Sequence, residues 1–106
     1  MEHRTHAHPA PESAELLYRC VLSLKTEEDC ARFFEDLCSV SELQAMVQRL
    51  QVAMALREGK TYQEIVNAIG ASTVTISRVN RCLQYGADGY ALALAALKDK
   101  PEEEQR

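Results

Sequence analysis

The chain has 106 residues and is acidic, with 12 Lys and Arg against 16 Asp and Glu and a formal net charge of −4 at pH 7. That length gives one domain with a modest core, which gains from oligomerising. No apolar run reaches membrane-spanning length and no charged-then-apolar leader opens the chain, so a soluble, cytoplasmic protein with no membrane partner is expected.

Residues 1–12 are polar and carry Pro9 and Pro11, which break helices; they read as a disordered tail. His3, His6 and His8 are scattered through it and read as tail residues, not as a metal chelate. A first helix is expected over residues 13–25, with Leu17, Cys20, Val21 and Leu24 on one face. Thr26 then caps a second helix, with Asp29 three residues on as the acidic form of a capping box. Cys30, Phe33, Phe34 and Leu37 form its stripe, and spacing of this kind favours packing for the two aromatics. Glu27, Glu28, Asp29, Glu35 and Asp36 make a solvated face, with negative charge favourably placed at the helix start.

Ser39 opens the longest helix, with Glu42 completing another capping box and Gly59 ending it. Its expected stripe is Leu43, Met46, Val47, Leu50, Ala53, Met54 and Arg57. Residues 61–83, TYQEIVNAIGASTVTISRVNRCL, then read as a helix-turn-helix. Thr61 caps the first of the two helices and Glu64 reaches back to it. Tyr62, Ile65, Val66 and Ile69 share a face, and Gly70 stands where a helix ends in a left-handed residue. Ser72 caps the next helix, on which Ile76, Val79 and Leu83 form the apolar stripe. The rest of that helix is Thr73, Thr75, Ser77, Arg78, Asn80 and Arg81, the group types that contact phosphates and base edges. Many helical hairpins share this pattern, so a merely solvated polar face is the competing reading.

Beyond Gly86 and Gly89 the run YALALAALKD is helix-forming by composition. Tyr90, Leu92, Leu94 and Leu97 spread around much of its circumference, and a helix apolar on several faces must be covered, most simply by a second chain. Pro101 stops it, and residues 99–106 read as a frayed end.

The distribution of charge qualifies the acidic total. Residues 44–85 hold Arg49, Arg57, Lys60, Arg78 and Arg81 against Glu58 and Glu64, a balance of +3, while the remainder carries −7. Non-specific DNA affinity depends on local phosphate neutralisation, and +3 is weak enough to call for two copies. Cys20, Cys30, Cys38 and Cys82 form no CxxC and no metal-ligand spacing with histidine. Cys20, Cys30 and Cys82 fall on or beside apolar stripes, so packed, reduced thiols are expected; disulfide connectivity stays open. No Gly-rich phosphate loop, nucleophile elbow or Cys–His pair occurs in the expected folded part, so no enzyme, metal or cofactor is expected.

The segment RFFEDLCSVSELQAMVQRLQVAMALREGKTYQEIVNAIGASTVTISRVNRCLQYGADGY closely resembles the Trp-repressor-like proteins of the YerC/YecD type. QRL, LREGKTYQEI, GAST, TISRV and RCLQYG carry the likeness, which covers about residues 16–97. It implies an all-α, six-helix Trp-repressor-like fold over residues 13–98, in an intertwined homodimer with two helix-turn-helix heads. It also implies a regulator, expected to be a repressor, that binds double-stranded DNA at a near-palindromic operator.

By the same resemblance Gln63, Asn67, Thr73, Val74 and Ser77 match DNA-contacting positions. Ser72, Arg78 and Arg81 join them on the second motif helix, and the paired heads meet successive major grooves about 34–36 Å apart. A small-molecule effector pocket would be built on Arg49, Thr75 and Arg78. Two departures bear on its ligand. Val79 replaces a glycine beside a flat ring, filling the space that ring needs, and Cys82 replaces a serine, a thiol being a weak hydrogen-bond partner. Tryptophan is therefore not the expected corepressor; another effector, or none, is. A protein-interaction module that keeps the scaffold without strong DNA binding is the alternative, and the overall acidity favours it.

Overall fold

The computed structural model describes residues 8–98, and six helices with no strand occur among them. The chain divides between Val40 and Ser41 into two compact units. His3, His6 and the terminal segment 99–106 lie outside the described residues, as does most of the expected N-terminal tail.

The first unit holds α1 (Pro11–Leu22) and α2 (Glu27–Leu37). Helix α1 starts on Pro11, two residues before the expected residue 13. A proline at the first helical position loses only an N–H that has no intrahelical acceptor, and its φ is already helical, so it opens a helix instead of breaking one. The helix also stops before the expected residue 25. Ser23 turns the chain, its hydroxyl donating to the Cys20 carbonyl at 2.7 Å and its amide to the Arg19 carbonyl at 3.1 Å. Helix α2 begins as expected: the Thr26 hydroxyl accepts from the Asp29 amide at 3.0 Å, with Glu27, Glu28 and Asp29 in the first turn. Phe33 and Phe34 meet edge to face with centroids 5.4 Å apart. The Arg32–Glu28 pair at 3.4 Å is largely exposed on the surface and contributes little. Neither helix buries a residue. The expected stripe of α1 loses Leu24, which lies beyond the helix, and Leu17, Val21 and Leu37 stay exposed.

The second unit contains α4 (Tyr62–Ile69), α5 (Thr73–Tyr85) and α6 (Gly89–Lys98), with nearly all of α3 (Val40–Arg57). Helix α3 ends in a Schellman motif: the Lys60 amide donates to the Ala55 carbonyl and the Gly59 amide to that of Leu56, with Gly59 at φ 87°. The core comprises Val52, Ala53, Ile65, Ala71, Ile76, Val79 and Leu94, with Ala55, Leu56, Val66, Ile69, Leu83 and Tyr90 packed against it.

This core corrects the expected stripe of α3. Of its seven residues only Ala53 is buried, while Val52, off that stripe, is 0% exposed. Val47, Leu50 and Met54 face outward. Helix α3 therefore has two apolar faces, one packed in its own unit and one uncovered. Helix α6 behaves likewise, with Leu94 buried and Leu92 and Leu97 exposed. The four cysteines are free, and the expected packing fails at Cys20 and Cys82, which are exposed; Cys30 and Cys38 are half-buried.

Candidate nucleic-acid interface

The turn between α4 and α5 is set by three residues. Gly70 takes φ 83°, ψ 13°, the left-handed conformation that glycine enters without a Cβ penalty. Ala71 follows and is buried, and Ser72 caps α5 by accepting from the Thr75 amide at 3.1 Å. The Ser72 hydroxyl also lies 3.2 Å from Thr75 Oγ1. Ser72, expected among the DNA contacts, is thus committed first to holding the start of the helix. At the other end of α4 both halves of the capping box form: the Glu64 amide donates to Thr61 Oγ1 at 3.1 Å and the Thr61 amide donates to Glu64 Oε1 at 2.8 Å.

That carboxylate titrates below its ordinary value of 4.5. The hydrogen bond from the Thr61 backbone is the main cause. Partial desolvation opposes it, and the Thr61 side chain and the Lys60 charge pull further downward. The depressed pKa means that Glu64 stabilises the fold fully above about pH 4.5 and ceases to as the pH falls through its lower folded value. Chemical denaturation across this acid range is expected to show a loss of stability that is flattened in Glu64→Gln. Thr61→Ala is expected to lose about 1 kcal/mol at neutral pH, as N-cap removals do.

Helix α5 separates its faces cleanly. Ile76 and Val79 are buried, while Thr73, Val74, Ser77, Arg78 and Arg81 are exposed. Thr73, Ser77 and Arg81 recur every four residues and so share one ridge, flanked by Val74 and Arg78. On α4, Gln63 and Asn67 are also exposed, and Gln63 Nε2 donates to Asn67 Oδ1 at 3.0 Å. Asn80 departs from expectation. It is half-buried, its carboxamide donating to the Tyr62 hydroxyl at 3.3 Å and accepting from Gln84 Nε2 at 3.4 Å. The asparagine leans toward α4 at the edge of solvent; its spacing after Ile76 (i+4) is the available signal.

The five residues expected in an effector pocket are divided between two hollows that share Arg49 and Arg78. Arg49, Thr75 and Arg78, with Ala45 and Gln48, line a hollow of about 100 Å³. Arg49 and Arg78 also border a depression of about 390 Å³ with Val79, Arg81, Cys82 and Tyr90. Arg81 thus belongs to both the ridge and this depression. Val79 is 2% exposed and packs mainly into the core, so it offers only an edge to any occupant. Among the described residues no cluster of His, Cys, Asp or Glu could hold a metal ion, and no helix is long and apolar enough to cross a membrane.

Six helices among the described residues, with a capped helix-turn-helix packed on the core of α3 and α6, define the all-α class seen in helix-turn-helix regulators. The chain belongs to the Trp repressor protein family, whose model matches residues 12–98. That family is regulatory and not enzymatic. Among its relatives, the YerC protein of Bacillus subtilis (strain 168) is 54% identical over 87 residues, which span 82% of this chain and 84% of YerC. The crystal structure of a TrpR-like protein from Eubacterium eligens ATCC 27750 superposes with a TM-score of 0.80 at 43% identity, covering 88% of this chain and 96% of that one. A candidate Trp repressor from Staphylococcus aureus gives a TM-score of 0.79 at 39% identity, covering 96% and 99% respectively.

Proposed function

We propose that the chain is a DNA-binding transcriptional regulator, a repressor that acts in the cytoplasm as a homodimer on a near-palindromic operator. The observation that carries this reading is the polar ridge of Thr73, Ser77 and Arg81, with Val74 and Arg78 beside it, on a helix whose opposite side is fixed by Ile76 and Val79. Hydroxyls and a short apolar side chain at the start of α5 suit contact with base edges and thymine methyls, and the two arginines suit phosphates. Gln63 and Asn67 extend the same surface from α4. Residues 13–98 form the functional domain.

Arg49, Thr75 and Arg78, with Val79 and Cys82, line the place for a small-molecule effector. Its cationic rim calls for an anionic group. Val79 narrows the space for a flat ring, which argues against tryptophan, and no cofactor enters the scheme.

Selection of bound duplexes from a random DNA pool, followed by gel-shift titration, tests the reading. A selective, salt-sensitive shift supports it. Capture of one stoichiometric protein partner that DNA fails to displace would replace it with a protein-interaction role. Replacing Arg81 by alanine is expected to weaken binding similarly on all sequences. If each protomer of a dimer loses one phosphate contact, the slope of log affinity against log salt falls by about two. An unchanged slope would remove Arg81 from the interface.

A further inference from the structure

The Tyr62–Asn80 contact joins residues 18 positions apart, and neither lies on the ridge described above. Tyr62 is the first residue of α4, at the end far from the turn. Asn80 is the eighth residue of α5, about 10 Å along the helix from Thr73 at 1.5 Å per residue. The turn at Gly70 and Ser72 joins the two helices at one end, and this contact joins them again well away from it. Between the two junctions lie Ile65, Ile76 and Val79, whose apolar packing is close but non-directional. Packing of that kind holds helices together while tolerating small rotations of one against the other. A carboxamide aimed at a phenol oxygen is directional and tolerates much less. Gln84, one further turn along α5, donates to the same asparagine at 3.4 Å and favours the same orientation of its carboxamide.

We infer that Tyr62 and Asn80 form a polar latch that sets the rotation of α5 on α4, making Tyr62 a positioning residue for sequence discrimination that itself touches no base. The inference rests on the proposed DNA-binding role. A small rotation of α5 displaces Thr73, Val74 and Ser77 together relative to a groove. Base readout depends on close geometry, whereas arginine–phosphate attraction is long-range and forgiving. Loosening the latch therefore degrades selectivity before it degrades non-specific affinity. A phenol that contacted phosphate directly would do the reverse, lowering affinity for every duplex alike.

The test uses the full chain, a duplex selected from a random pool and a scrambled duplex of equal length. Tyr62→Phe keeps the ring and removes the hydroxyl. It is expected to leave thermal unfolding within a few degrees of wild type and non-specific affinity unchanged. Affinity for the selected duplex is expected to fall about five- to tenfold, the range a single net hydrogen bond supports. Adding Asn80→Ala to Tyr62→Phe is expected to produce little further loss, since both remove the same contact. In NMR spectra the Asn80 carboxamide protons are expected to shift and exchange faster in Tyr62→Phe. Equal losses on both duplexes, additive losses in the double variant, or an unmoved Asn80 signal each overturn the latch while leaving the DNA reading standing. Absence of any selective duplex for the wild-type protein overturns the DNA reading, and this use of the latch with it.

Discussion

Replacing Ile76 by alanine is expected to lower the unfolding free energy by about 2–5 kcal/mol, the range found for buried isoleucine truncations. Ile76 is 0% exposed and belongs to the cluster formed by Val52, Ala53, Ile65, Val79 and Leu94. The removed carbons leave a space that those neighbours fill only in part, so lost burial and lost packing add. Single domains are stable by about 5–15 kcal/mol in all, and one such truncation removes a large share. Ile76→Val, one methylene smaller, is expected to lose about 0.5–1.5 kcal/mol. Val74→Ala, two residues earlier on the same helix, is the control. Val74 is 67% exposed, and its truncation is expected to stay within about 0.5 kcal/mol of wild type while altering DNA binding. Urea unfolding at one fixed protein concentration measures all three, since the stability of an oligomer varies with concentration. An Ile76→Ala loss below 1 kcal/mol would mean that the inner face of α5 is not anchored, and its outer ridge would then have no fixed orientation.

The two helices of the motif were legible in the sequence because local chemistry specifies them. Thr61 with Glu64, Gly70, and Ser72 each satisfy a backbone requirement that can be read within four residues. The stripe Ile76, Val79 and Leu83 is equally local. What could not be read is which of several apolar faces a helix buries. Helix α3 is apolar around much of its circumference, so spacing alone could not choose Val52 over Leu50, and the packing of α4, α5 and α6 decided it. The burial of Ala71 is not legible in the sequence, because a small residue in a turn looks like a spacer until the helices on either side close over it. Polarity alone assigns Asn80 to the DNA face, yet its helical position puts it against Tyr62. Polarity indicates what a side chain can bond to, and helical phase indicates where the partner is. The exposure of Cys20 and Cys82 has the same origin as that of Leu17 and Leu50: helical stripes predict an apolar face without saying what covers it.

That unanswered question sets the second large effect. Leu17→Asp in α1 and Leu37→Asp in α2 are each expected to convert a dimer to monomers and to reduce operator affinity by about 100-fold or more. Leu16, Leu17, Tyr18, Val21 and Leu22 are all exposed on α1, Leu37 is 52% exposed on α2, and α3 and α6 add Val47, Leu50, Leu92 and Leu97. A monomer rarely leaves so many large apolar side chains in water, and a chain whose first two helices bury nothing gains most by laying them against a second copy. A carboxylate placed there would have to be desolvated without a partner, which disfavours association by several kcal/mol. On the proposed DNA-binding role the effect reaches DNA because a single head binds weakly: +3 over residues 44–85 neutralises few phosphates. Joining two such heads makes the second contact effectively intramolecular, a gain of about 10²–10⁴ in affinity that a monomer forfeits. Asp36→Asn, on the polar face of α2, is the control and should leave both assembly and binding intact. Sedimentation at micromolar concentration and gel shifts on the selected duplex read the two consequences separately, with circular dichroism reporting retained helix. A Leu17→Asp protein that sediments as wild type and binds with wild-type affinity would show that α1 takes no part in pairing. The uncovered leucines would then need another partner, and the DNA affinity another source.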